Sequence, residues 1–344
     1  VNEAVELARL LMNEKASGIV NAILRQIHLS DRPSIEDLKR DDPLEKIAAI
    51  TSHPEWIIQR WLHHFGFDNT LKLCAWNNKI PTFTIRRNRM KVTRRDFESF
   101  LDQHNIQWNR EVIMEEFYSI DQVAILKESR EFEMGYFSIQ DLSAGLVTLL
   151  LDVESSSTIL DVCAAPGGKA THLAERLGNK STIYAYDSDV VRLQRLGENI
   201  ERLGLSSIRV AQQDATQDRY PMADVILLDA PCTGTGVMAK RADLRWRRME
   251  NHVEEMRSLQ IRILSHMSAF VEEGGKIVYA TCSLEPEENW GVIDIFLKKN
   301  HHFRLKRSNA YVSQQFIDIR GALHTYPPDH GLDGVFAVIL ERTE

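Results

Sequence analysis

The segment Thr158-Ile159-Leu160-Asp161-Val162-Cys163-Ala164-Ala165-Pro166-Gly167-Gly168-Lys169 decides the fold. A short β-prone apolar run stops at small, turn-forming residues, and a helical pattern follows from Ala170. The reading is strand, tight loop, helix N-terminus. Such a loop leaves backbone N–H groups open and lets a ligand approach the main chain closely. The loop is not G-x-G-x-x-G, which makes NAD the weaker candidate ligand. Lys169 is followed by Ala170, so it is not a P-loop either.

Outward from this loop the pattern alternates. Strands are expected at 158–163, 182–186, 207–211, 224–229, 275–281 and 335–341, with helices at 170–177, 189–203, 251–271 and 287–299. Alternation of this kind predicts an α/β fold with a mostly parallel sheet and helices on both faces. Ligands of such sheets sit outside the carboxyl ends of the strands. Three carboxylates stand at those ends: Asp187, Asp214 and Asp229. One of them, Asp187, lies about 20 residues past the glycines, where a carboxylate can hydrogen-bond a ribose. That geometry serves NAD or S-adenosylmethionine (SAM).

The cysteines are Cys74, Cys163, Cys232 and Cys282, too widely spaced for a disulfide framework or a CxxC zinc site. Free thiols suit a reducing cytoplasm. Cys74 falls on an apolar helix face and reads as a small buried hydrophobe. Cys163 is expected to meet the cofactor through its backbone. Cys232 and Cys282 follow apolar strands, in Asp229-Ala230-Pro231-Cys232 and Thr281-Cys282-Ser283. A thiolate can add to C6 of a cytosine and make C5 nucleophilic enough to take a methyl group. A carboxylic acid near N3 assists the addition, and Asp229 is positioned to supply it. Spacing leaves open which cysteine attacks.

Asp161–Lys169, Asp229–Gly236 and Tyr279–Asn289 resemble the signature motifs of the Sun/Fmu/NOL/NOP class of RNA cytosine-5 methyltransferases. The likeness extends through Gly135–Asp141 and Gly331–Phe336, covering about 131–344. The resemblance implies a Rossmann-like class I methyltransferase with a seven-stranded sheet, using SAM and releasing S-adenosyl-L-homocysteine. It assigns the nucleophile to Cys282 and product release to Cys232. It places Asp229 and Lys169 at the catalytic centre. It gives the cofactor to Cys163, Ala164, Ala165, Pro166, Gly167, Gly168, Lys169, Asp187, Asp214 and Asp229. DNA cytosine-5 methyltransferases instead attack with their Pro-Cys cysteine, so the choice of Cys282 rests on the resemblance.

The front of the chain resembles the bacterial branch acting on 16S ribosomal RNA. Residues 1–35 are similar to the end of a NusB-like helical domain plus a linker. Within them, 1–29 give one or two amphipathic helices, interrupted at Gly18. The segment 30–45 is polar and holds Pro33 and Pro43. Residues 36–130 read as an α+β RNA-binding module. It has helices around Trp56–Leu62 and Leu71–Trp76, a strand at 81–85, a helix through Phe97–Leu101 and a strand at 123–126. Residues 131–344 form the catalytic domain. Two basic clusters are the candidate RNA contacts. The first holds Arg86, Arg87, Arg89, Arg94 and Arg95. The second holds Arg241, Arg245 and Arg248 around Trp246, with Lys240 and Arg247 beside them.

The 344 residues are 43% hydrophobic and 26% charged, as in a soluble globular protein. A net charge of −7 argues against a general polyanion binder and puts weight on local clusters. No apolar run approaches a membrane span, and no basic segment followed by an apolar core opens the chain. Val1 is not Met and stands inside a helical pattern, so residues are expected upstream. His63-His64 and His301-His302 lack metal-ligand spacing, and no metal is expected. The expected protein is a cytoplasmic monomer. It is a SAM-dependent RNA cytosine-5 methyltransferase acting on 16S ribosomal RNA. The alternatives are a transfer-RNA or DNA enzyme and a non-catalytic SAM-binding assembly factor.

Overall fold

The computed structural model describes residues 2–26, 42–154 and 156–343. Two compact units divide the chain, Val1–Gly66 and Phe67–Glu344. Most of the linker expected at 30–45 lies outside the described residues.

The first unit is helical: α1 (Asn2–Leu11), α2 (Glu14–Gln26), α3 (Pro43–Thr51) and the start of α4 (Glu55–Asn77). Gly18 does not break the first pair, as the sequence suggested; it sits inside α2, and the turn falls at Met12-Asn13. Asp42 caps α3 by accepting from Leu44 N at 2.8 Å, with Pro43 at the first helical position. Gly66, at φ +75°, divides α4 into the two helical runs read from the sequence.

The second unit contains two sheets. The smaller one is antiparallel, in the order β2-β3-β1-β4: β1 (Phe83–Arg87), β2 (Trp108–Arg110), β3 (Phe117–Ile120) and β4 (Phe137–Ile139). Helix α5 (Arg94–Gln103), capped by Thr93, lays Phe97, Phe100 and Leu101 on Ile85, Tyr118 and Phe137. The expected strand at 123–126 is instead the short helix α6 (Val123–Lys127), which buries Leu126 on the same core. Four apolar residues in a row fit either state, and the turn at Asp121-Gln122 starts a helix. Strand β4, read from sequence as the front of the catalytic domain, completes this small sheet by pairing with β1. After α7 (Arg130–Glu133) and β4 comes α8 (Leu142–Leu149), capped by Asp141.

The larger sheet follows β5 (Thr158–Val162), α9 (Gly168–Arg176), β6 (Thr182–Asp187), α10 (Val190–Leu203), β7 (Ile208–Gln212) and β8 (Ala223–Asp229). It continues through α11 (Leu244–Arg247), α12 (Asn251–Met267), β9 (Val271–Thr281), α13 (Trp290–Lys299), β10 (Phe303–Lys306), β11 (Leu323–Thr325), α14 (Pro327–His330) and β12 (Val335–Arg342). The order is β10-β12-β9-β8-β5-β6-β7, with β11 added on β12. Strands β5 to β9 are mutually parallel, and β12 runs antiparallel to β9. All six expected strands are present. Strands β10 and β11 were not foreseen, being only 4 and 3 residues long.

Alternation along each strand feeds two cores. Ile159, Leu227 and Val278 face one, with Leu146, Leu173 and Leu196 from α8, α9 and α10. Leu160, Leu228 and Tyr279 face the other, with Ile263, Leu264 and Phe296 from α12 and α13. The chain leaves β5 toward β6 on one side and returns to β8 on the other. That reversal opens a crevice at the carboxyl ends of the strands.

Candidate active site

The crevice is a cleft of about 450 Å³ lined by residues from the ends of all five parallel strands. They include Cys163, Asp187, Asp214, Asp229, Cys232 and Cys282. Val162 ends β5, and Cys163 takes the left-handed conformation at φ +64°. Gly167 follows at φ +99°, where a Cβ would stand 2.2 Å from Leu196 Cδ1, so only glycine fits. Helix α9 starts with no side-chain cap, which leaves its first N–H groups for a ligand. Of the 163–169 loop, Cys163 itself lines the cleft. Burial, then the charge of Asp187, pushes its thiol up, away from reactivity.

Asp187 is buried and holds this loop: its carboxylate accepts from Ala165 N at 3.1 Å and Asp189 N at 3.0 Å. Arg192 stands 3.4 Å from it and donates to Ala165 O. Asp214 accepts from Thr216 N, Thr216 Oγ1 and Gln217 Nε2 at 2.8, 2.7 and 2.9 Å, and the Thr216 bonds hold it below the ordinary carboxylate value. Asp161, on β5, is fully buried, and both its oxygens lack a hydrogen-bond partner among the described residues. Burial and the nearby Asp229 push its carboxyl well above the ordinary value.

Strands β8 and β9 are neighbours, and the loops after them bring Cys232 Sγ and Cys282 Sγ to 3.3 Å. The contact with Cys282 and burial raise the Cys232 thiol well above its ordinary value. Lys169, in the first turn of α9, donates to Asp229 Oδ2 at 2.6 Å. Burial lowers the lysine, but Asp229 outweighs it and a charge at Cys282 adds to the effect, so Lys169 keeps its proton. The loops interlock through backbone: Gly236 N donates to Cys282 O at 3.0 Å, and Gly334 N to Gly236 O at 2.8 Å. A Cβ at Gly236 would meet Gly334 O at 2.4 Å.

The basic clusters divide differently from the sequence reading. Arg86 is fully buried, pairs with Glu175 at 2.8 Å and donates to Gly168 O at 3.1 Å. Arg87 is buried and donates to Val92 O at 2.8 Å. Arg245 is buried and donates to Asn78 Oδ1 at 2.6 Å. These three guanidiniums are buried and bound by other parts of the chain, so they are withdrawn as RNA contacts; the local run of charge does not reveal partners supplied by distant segments. Arg248 donates to the carbonyls of Thr233 at 2.9 Å and Cys232 at 3.1 Å, holding the cysteine loop. Lys240 is bound by Asp141 and Asp333. Arg89, Arg94, Arg95, Arg241 and Trp246 are exposed, and Arg241 also lines the cleft. Arg248, expected as an RNA contact, lines the cleft too, and so does Arg192, which was missed as a site residue because it stands in no distinctive spacing.

A doubly wound sheet with a nucleoside-sized cleft at its reversal point, acidic strand ends and two facing thiols defines a Rossmann-like methyltransferase. The chain belongs to the 16S rRNA methyltransferase RsmB/F family, whose model matches residues 148–341. The ferredoxin-like domain of RsmF/B-like methyltransferases matches 53–122. It is 32% identical over 354 aligned residues to the probable ribosomal RNA small subunit methyltransferase B of Bacillus subtilis, spanning 99% of this chain and 77% of that protein. It is 34% identical over 349 residues to ribosomal RNA small subunit methyltransferase B of Yersinia enterocolitica, again spanning 99% and 77%. A methyltransferase homolog from Pyrococcus horikoshii superposes at TM-score 0.73 with 26% identity, over 88% of this chain and 99% of that one. NSun6 from the same organism, solved with SFG, shares the fold at TM-score 0.76 and 24% identity, over 85% and 98%. By family, then, this is a ribosomal RNA methyltransferase.

Proposed function

We propose that the protein transfers a methyl group from SAM to C5 of a cytosine in 16S ribosomal RNA, with Cys282 as nucleophile. The observation that carries the reading is the pair of thiols 3.3 Å apart at the ends of adjacent strands, beside Lys169–Asp229.

The cleft suits SAM. Its volume is in the range of small-molecule sites. Asp187 and Asp214 offer carboxylates for polar groups, while Ala215, Pro231, Leu259 and Ile263 offer apolar wall for a purine. Bound there, SAM supplies an electrophilic methyl group. The protein's part begins when the Cys282 thiolate adds to C6, forming a C–S bond and moving the C5=C6 electron pair toward C5. Lys169–Asp229 holds a proton beside the ring, where negative charge develops on the N3–O2 edge. After methylation a base removes the C5 proton, the C–S bond breaks and the Cys282 thiolate leaves. Cys232, held protonated at 3.3 Å, returns a proton to that sulfur. The target base must leave its stack to reach the pair. Residues 36–130, with Arg89, Arg94 and Arg95, and the exposed Arg241 and Trp246, grip the RNA around it.

Bisulfite mapping of RNA and DNA from cells with and without the gene tests this. One protected cytosine in 16S ribosomal RNA is expected, lost in Cys282→Ser. Cys232→Ser is expected to accumulate protein covalently bound to RNA. Full turnover in Cys282→Ser sinks the nucleophile assignment, protection in transfer RNA or DNA moves the substrate, and RNA binding without methylation favours an assembly factor.

A further inference from the structure

The two reactive loops meet at a third residue, one inside the Tyr279–Asn289 stretch to which the resemblance assigns no role. Glu288 follows β9 in Ser283-Leu284-Glu285-Pro286-Glu287-Glu288-Asn289, and its side chain is fully buried. Its carboxylate accepts from Thr233 N at 2.9 Å, from Thr233 Oγ1, from Ser283 Oγ at 2.6 Å and from Gln260 Nε2 at 2.9 Å. All four donors are neutral. Gln260, on α12, also donates to Pro231 O at 2.8 Å. Pro231 and Thr233 bracket Cys232, and both are held by this assembly. On the other side Asn289 accepts from Thr281 Oγ1 at 2.6 Å and donates to Ser283 O at 2.9 Å. Thr281 and Ser283 bracket Cys282. The Glu288 carbonyl accepts from Tyr279 OH at 2.7 Å, which fixes the segment to β9 itself.

We propose that Glu288 is a positioning residue for the thiol pair: its carboxylate bridges the residue after Cys232 to the residue after Cys282 and so sets the sulfur–sulfur separation. The proposal rests on the reading of Cys232 and Cys282 as the working thiols. A carboxylate buried among neutral donors is costly, and a neutral side chain of the same shape could make a similar set of bonds. Burial raises the Glu288 carboxyl, and the bonds from Ser283, Thr233 and Gln260 oppose that rise and favour the charged form; the charge it then carries acts on Cys232. After the contact with Cys282, burial and the Cys282 charge, Glu288 contributes to raising that thiol. The bridge holds Cys232 within 3.3 Å of the Cys282 sulfur, and a charged Glu288 adds to what raises the Cys232 thiol.

Phenylarsine oxide reads the geometry without reference to catalysis, because one arsenic binds two thiols only when they lie close together. Wild-type protein is expected to capture one equivalent at this pair, and Cys282→Ser to lose it. Glu288→Ala should weaken capture at least tenfold while the far-UV spectrum stays native. In methyl transfer its kcat should fall at least tenfold, with KM for SAM unchanged. Glu288→Gln, which keeps the shape and most bonds, should retain capture yet shift alkylation of Cys232 to lower pH. If Glu288→Ala does not fold, Thr233→Val with Ser283→Ala removes the hydroxyl ties, leaves Glu288 in place and should weaken capture alike. A folded Glu288→Ala, or that double variant in its place, with wild-type capture overturns the proposal. Lost capture in a protein that never methylates cytosine instead leaves Glu288 in its role and removes the proposed reaction.

Discussion

Arg86 shows how a residue's neighbours in sequence can mislead about its neighbours in space. It stands in a run of basic residues, yet its guanidinium lies buried among Glu175, Gln140, Thr171 and the Gly168 carbonyl. It joins β1 of the small sheet to α9, from Gly168 in its first turn to Glu175 in its last, beside the β5–α9 loop. Removing it strands a buried Glu175, and breaking such a pair costs about 3–5 kcal/mol. Arg86→Ala is therefore expected to lower the melting temperature by several degrees and to weaken SAM binding through the loosened Gly168 turn. Calorimetry, with a SAM titration on the folded fraction, checks this; unchanged affinity would detach Arg86 from the site. The residues at strand ends were legible because strand periodicity fixes where a strand stops, and chemistry gathers there. Arg86, Arg245 and Glu288 were not, because burial and partnership depend on segments tens of residues away.

Among the elements, the loop from β5 to α9 has the least freedom. Gly167 combines φ +99° with a Cβ position 2.2 Å from Leu196 Cδ1, so Gly167→Ala meets two obstacles at once. Backbone strain of this kind costs about 1–3 kcal/mol, and displacing Leu196 from the core adds to it. Gly197, on the same helix α10 as Leu196, has nothing within 4 Å of its Cβ position, and Gly197→Ala serves as the control, neutral or slightly stabilising. Urea melts should separate the two variants clearly, and equal midpoints would remove the steric argument. The long periodic elements, β5 to β9 with α9, α10, α12 and α13, could be read from the sequence because each carries its own apolar period. The strands β2, β4, β10 and β11 could not: three or four residues hold too little alternation, and pairing across the sheet defines them.

For the whole molecule, stability against acid is expected to depend on a buried histidine on the same helix as Lys169. His172, on α9, is 1% exposed, lies 3.1 Å from Thr148 Oγ1 and packs edge-on against Phe117 at 5.4 Å. Burial, then the charge of Arg86, depresses its pKa to about 3. In the unfolded chain the same imidazole protonates near pH 6.5. Between those values the unfolded state binds more protons, so stability falls as pH falls. The contribution is fully present above pH 6.5 and is lost progressively toward pH 3. By pH 4 the loss from this one group is about 3 kcal/mol, since each unit of displacement is worth about 1.4 kcal/mol. The urea midpoint should therefore fall by roughly 1 M between pH 7 and pH 4, and His172→Gln should flatten that slope while lowering the midpoint at pH 7. A wild-type slope in the folded variant would assign the acid sensitivity to the carboxylates instead. The small sheet and α9 share this buried polar layer through Arg86, Glu175 and His172, so acid should loosen the small and large sheets together, in one transition.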